Sequence, residues 1–189
     1  MARLYTGNPD VIAVRNGYHG GSPSTIALTG LSTWKFATQE GAPVHHAACP
    51  DPYRSEFSGS PEAIASQAAA DIRDVIRRAT PGRIAGFIAE PIQGVGGVTY
   101  GAPNYLGEAY GIVRECGGIC IADEVQTGFG RTGEHFWGFQ HFGVVPDMVP
   151  GRLISPCARF DPVVLSFSRP PRLEEQVNDV RDRGSLHWS

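Results

Sequence analysis

The chain has 189 residues, a formal net charge of -3, 41% hydrophobic and 19% charged residues, 24 glycines and 15 prolines. This is the make-up of one soluble globular domain or a piece of a larger one, and its mildly acidic balance leaves too little basic charge for a nucleic-acid footprint. No apolar run approaches a membrane span and no signal segment opens the chain, while Cys49, Cys116, Cys120 and Cys157 are too scattered for a disulfide framework and read as reduced and packed.

In chain order, Arg3 to Thr6 read as the last turn of a helix closed by Gly7, which suggests a chain cut from something longer. Val11 to Val14 is a short buried strand. The run Asn16-Gly17-Tyr18-His19-Gly20-Gly21 after it is a loop, and from there to Ser58 turns predominate. Ser60-Pro61-Glu62 supplies an N-cap, a first-turn proline and an acid at the positive helix end. With Ile64, Ala68, Ile72, Val75 and Ile76 at helical spacing behind them, a helix is expected over Pro61 to Ala79.

Ile84 to Ala89 is the next strand and leads into Glu90-Pro91-Ile92-Gln93-Gly94. A helix from about Tyr105 to Cys116 and a strand Ile119 to Ala122 follow, the latter stopping at Asp123-Glu124, and a further strand is read at Pro146-Asp147-Met148-Val149. Strands alternating with helices imply an α/β fold with a mostly parallel sheet and helices on both faces. Ligands of such sheets sit outside the carboxyl ends of the strands, which is where the polar clusters around His19, Glu90 and Asp123 fall. Beyond residue 149 the alternation stops, so 1-149 reads as the structured part and 150-189 as a divergent, disordered tail in which Leu173, Val177 and Val180 line at most one short helix.

Among candidate chemistries, Gly128-Phe129-Gly130-Arg131-Thr132-Gly133 has dinucleotide-fingerprint spacing, but Asp123 to Thr127 separate it from its strand, so it reads as a flexible turn. His45-His46, His135 and His141 show no metal-protease spacing and are assigned surface or packing roles, and the Cys116/Cys120 pair a structural one. Asp123 carries more information. An acid where a buried strand emerges into a ligand crevice asks for a cation or a protonated ring; a helix cap or an arginine salt bridge is the alternative.

Three motifs, Tyr18-His19-Gly20, Glu90-Pro91-Ile92-Gln93-Gly94 and the run Ile121 to Gly133, in this order and spacing resemble the class III pyridoxal-phosphate-dependent aminotransferases. The resemblance covers about residues 1 to 149, and the flanking sequence is most similar to the alanine-glyoxylate aminotransferase 2 branch. It implies part of the large domain of a fold-type I transferase, with pyridoxal 5'-phosphate as cofactor, amino acid and 2-oxo acid substrates, a homodimeric assembly and a mitochondrial location.

It further implies that Asp123 pairs with the pyridine nitrogen of the cofactor, Val125 and Tyr18 flank the ring, and Gln126 reaches its phenolic oxygen. Glu90 would lie near the substrate pocket, holding an arginine or a cofactor-side polar group, and His19 would lie beside the ring. Two family elements are missing from this sequence. The phosphate-binding turn is not present, and Pro150-Gly151-Arg152 stand where the cofactor-anchoring lysine should follow its strand. Lys35, the one lysine, lies in an early turn-rich segment unsuited to replace it. The reading is a truncated product of a longer aminotransferase gene, inactive alone. The alternative role is an interaction partner of itself or of a full-length subunit.

Overall fold

The computed structural model describes residues 1-37 and 41-151, together with the backbone of 163-166. Its elements are α1 (Ala2–Thr6), β1 (Val11–Val14), β2 (Val44–Ala47), α2 (Pro61–Ala79), β3 (Gly86–Ala89), α3 (Asn104–Glu115), β4 (Ile119–Ala122), β5 (Met148–Gly151) and β6 (Val163–Ser166), with 3-10 helices at Ser32–Trp34 and Gly138–Phe142. They form one six-stranded sheet in the order β2-β1-β3-β4-β5-β6. All pairs are parallel except β5 with β6, where Met148 faces Ser166 and Gly151 faces Val163.

The local signals explain the elements. Gly7 closes α1 at φ 70° and donates to the Arg3 carbonyl, a conformation that costs glycine nothing. Ser60 caps α2 by accepting from the Ala63 amide at 3.3 Å, ahead of Pro61 in the first turn. Strand β2 lies in the segment where the sequence predicts mainly turns. Val44-His45-His46-Ala47 is a four-residue edge strand bonded only to β1, and its paired histidines break the apolar pattern by which a buried strand is recognised. Strand pairing also crosses the boundary at 149/150: β5 continues to Gly151, and the backbone of 163-166 joins it within the segment read as a tail. The helix suggested around Leu173, Val177 and Val180 lies outside the described residues.

The direction of each crossover decides which face it covers. From β2 through α2 to β3, and from β3 through α3 to β4, the chain moves the same way along the sheet. Right-handed crossovers of one direction share a face, and α2 and α3 pack together there on Ile12, Val14, Phe87, Ala89 and Cys120. The link from β1 to β2 moves the opposite way. The second face, formed by Val11, Ala13, Ile88 and Ile119, is accordingly covered by α1 and Leu28. Helices lie on both faces, but unequally. A cavity of about 310 Å³ remains on the second face between Val11, Leu28, Ile88, Ile121 and Met148. Among the described residues no helix is long and apolar enough to cross a membrane.

The reversal of direction around β1 and β3 opens a crevice at the carboxyl ends of those strands, the place where doubly wound sheets hold ligands. The segments after β1, β3 and β4 all emerge there.

Candidate cofactor site

Asp123 follows β4 directly and is 7% exposed. Its Oδ1 accepts the Val125 amide at 3.1 Å, and its Oδ2 lies 2.7 Å from Nδ1 of His19, which follows β1. An ionised carboxylate only accepts, so Nδ1 carries the proton of that bond. Both side chains are nearly sealed from solvent. Among the described residues Asp123 forms no ion pair with a lysine or arginine. The other ring nitrogen, His19 Nε2, is buried without a hydrogen-bond partner among the described residues.

Two loops are then tied to each other by Glu90. Its Oε1 accepts the Tyr18 amide at 2.8 Å and its Oε2 the Gly94 amide at 3.0 Å. Among the described residues the carboxylate thus fastens the backbone of the loops after β1 and β3 and forms no ion pair with an arginine. Burial pushes the Glu90 carboxyl above its ordinary value, against the lowering effect of those two amides. The loop after β1 is further held where Thr29 accepts the His19 amide at 3.0 Å and donates to the Gly20 carbonyl at 3.0 Å.

Tyr18 is half-buried and meets Trp34 edge to face, with ring centroids 5.3 Å apart. Val125 is 43% exposed, and Gln126 is also exposed. A Cβ at Gly94 would overlap the Gln126 amide, so that glycine is what lets Gln126 lie against the loop fastened by Glu90. The structure thus brings His19 onto Asp123, Glu90 onto the Tyr18 backbone, and Gln126 beside Gly94.

Sequence reasoning missed Glu124. Its side chain points away from the crevice and is fully buried. It accepts the Gly138 and Phe139 amides, each at 2.8 Å, and the Thr127 hydroxyl at 2.6 Å. It thereby holds the 3-10 helix Gly138–Phe142 against the strand end that carries Asp123. Desolvation raises its carboxyl above the ordinary value despite these three donors. No periodicity marks such a residue; the one available signal was a second acid adjacent to Asp123 at a strand end.

Lys35 stands just after the Ser32–Trp34 turn, its ammonium donating to the Ile26 carbonyl at 3.2 Å and the Ala27 carbonyl at 3.5 Å. Cys49 and Cys116 are free thiols. Burial raises the Cys49 thiol to about 11, so it is not a reactive nucleophile at neutral pH.

Parallel sheet, direction reversal and a buried aspartate at the end of β4 define an α/β architecture of the fold-type I, pyridoxal-phosphate-dependent transferases. A thermostable (S)-enantioselective omega-transaminase from Thermomicrobium roseum superposes with a TM-score of 0.81 at 29% identity, covering 100% of this chain and 43% of that one. The family description Aminotransferase class-III matches residues 1–151. The chain belongs to the class III aminotransferase family. It is 54% identical over 149 residues to alanine–glyoxylate aminotransferase 2 homolog 2, mitochondrial, of Arabidopsis thaliana, covering 79% of this chain and 30% of that protein. To the human mitochondrial alanine–glyoxylate aminotransferase 2 it is 42% identical, covering 79% of this chain and 32% of the relative. The chain therefore spans about a third of the length of these relatives.

Proposed function

We propose that the chain supplies the ring-nitrogen side of a pyridoxal 5'-phosphate site in a transaminase of the alanine–glyoxylate kind, and that by itself it does not transaminate. The observation that carries this reading is Asp123, buried at a strand end with its orientation fixed on both oxygens. A protonated pyridine nitrogen suits such a carboxylate, because desolvation strengthens a charge-assisted bond to it. When bound, the pyridinium ring supplies the electron sink for loss of the substrate's α-proton.

This chain's residues have distinct tasks around that group. Asp123 would accept the ring N–H, with His19 holding the carboxylate in place. Tyr18 and Val125 would flank the ring and Gln126 would reach its phenolic oxygen, while Glu90 keeps the Tyr18 and Gly94 backbones in register. What the sequence does not provide is an amine after β5. Pro150 and Gly151 close β5 and Arg152 follows, with no lysine from there onward in the sequence, and the Lys35 ammonium is directed to backbone carbonyls. A transaminase needs such an amine both as anchor and as proton carrier.

Family kinship supports amino acid and 2-oxo acid substrates, and dimerisation with itself or with a full-length subunit belongs to the same reading. The mitochondrial names of the relatives support a mitochondrial location. The test of function is direct: the purified chain, given alanine, glyoxylate and pyridoxal phosphate, is expected to form no pyruvate above the protein-free blank. Turnover that disappears in Asp123→Ala would overturn the inactive reading.

A further inference from the structure

We propose that Glu134, His135 and His141 form a binding site for one divalent transition-metal ion of the zinc type. These residues lie outside the crevice described above. One ligand atom from each of the three lies within 4.8 Å of the others. The two imidazoles, assigned surface or packing roles from their sequence spacing, stand edge to face with centroids 4.6 Å apart.

A second observation points to a ligand. His141 Nε2 is buried and has no hydrogen-bond partner among the described residues. A buried ring nitrogen left without a partner is costly, and a metal ion satisfies it. Two imidazoles and one carboxylate are a donor set that zinc uses when it keeps a further position open to water.

The required adjustment is small. Ligands about 2.1 Å from a tetrahedral ion are about 3.4 Å from each other, so donors already within 4.8 Å of one another need to close by about 1.4 Å at most. Glu134 is exposed and can rotate towards the histidines. The loop that carries it is already folded back, with Gly130 donating to the Phe136 carbonyl at 2.9 Å and Gly133 to the Gly130 carbonyl at 3.0 Å. Gly133 makes that turn at φ 91°. His141 sits in the 3-10 helix that Glu124 anchors. The ion would clasp the glycine-rich loop that follows Gln126 onto that helix.

The test uses the full chain without a histidine tag, titrated calorimetrically with Zn2+. The expected result is one saturable equivalent, weakened more than about tenfold in both His135→Ala and His141→Ala, since loss of a ligand should exceed the effect of losing a residue behind one. The His45→Ala/His46→Ala variant should bind as the unsubstituted chain does. Saturating zinc should raise the melting midpoint by about 5 °C. NMR of the unsubstituted chain supplies a readout that does not depend on any variant folding: Zn2+ should move the ring signals of His135 and His141 and leave those of His45 and His46. Absence of saturable binding, affinity unchanged in both single variants, or shifts centred on His45 and His46 would each overturn the proposal.

Discussion

Replacing Asp123 by alanine is expected to weaken pyridoxal phosphate binding by about 10- to 100-fold, the range that follows from losing one hydrogen bond to a charged partner. Among the described residues the side chain accepts the Val125 amide and the His19 ring and nothing else. The two effects on His19 and on the ligand can be separated. Far-ultraviolet circular dichroism reports whether the sheet survives, and quenching of intrinsic fluorescence by the cofactor reports binding. Gln126→Ala provides the comparison: its side chain is exposed, so a loss of only a few-fold is expected. Equal affinities for the Asp123→Ala variant and the unsubstituted chain would remove the aspartate from the site.

Glu124→Ala is expected to cost about 3 to 5 kcal/mol of unfolding free energy, because it strands two buried amides and a hydroxyl that now share one carboxylate. Urea unfolding should show a lower midpoint with the slope unchanged. Glu124→Gln keeps one acceptor oxygen and should fall between the two. The pH dependence has a definite sign. Burial raises the folded carboxyl above 4.5, so the folded chain holds this proton more tightly than the unfolded chain does. Stability from Glu124 is therefore greatest below the unfolded value and falls as pH rises through the interval up to the folded one. The stability difference between the unsubstituted chain and Glu124→Gln should shrink across that interval. A difference that grows with pH would contradict the assignment of desolvation as the dominant effect.

The readable and unreadable parts of this molecule differ in the range of the forces that make them. α2 was legible to its ends because Ser60, Pro61 and the apolar repeat act within a few residues of one another. The strands β1 and β4 were legible as compact apolar runs bounded by polar residues. β2 was not, since an edge strand with adjacent histidines is defined by its partner β1 rather than by its own pattern. Within the site, position was legible and pairing was not. Asp123, Glu90 and His19 stand at strand ends that the α/β alternation puts at one edge. That His19 meets Asp123, and that Glu90 holds amides rather than an arginine, depends on strand order and loop paths. Glu124 lies at the far limit of this scale, because its three donors come from residues that gather only after the loop folds back.

On the proposed reading, this chain holds the ring-nitrogen end of the cofactor and carries no lysine after β5 to anchor it. The most direct measurement is titration with pyridoxal phosphate followed by borohydride reduction and peptide mass spectrometry. Saturable binding that depends on Asp123 is expected, with the cofactor lost on denaturation and no peptide carrying it. A reduced adduct at Lys35, formed stoichiometrically and absent in Asp123→Ala, would contradict the account and make this chain a complete cofactor site with an unorthodox lysine.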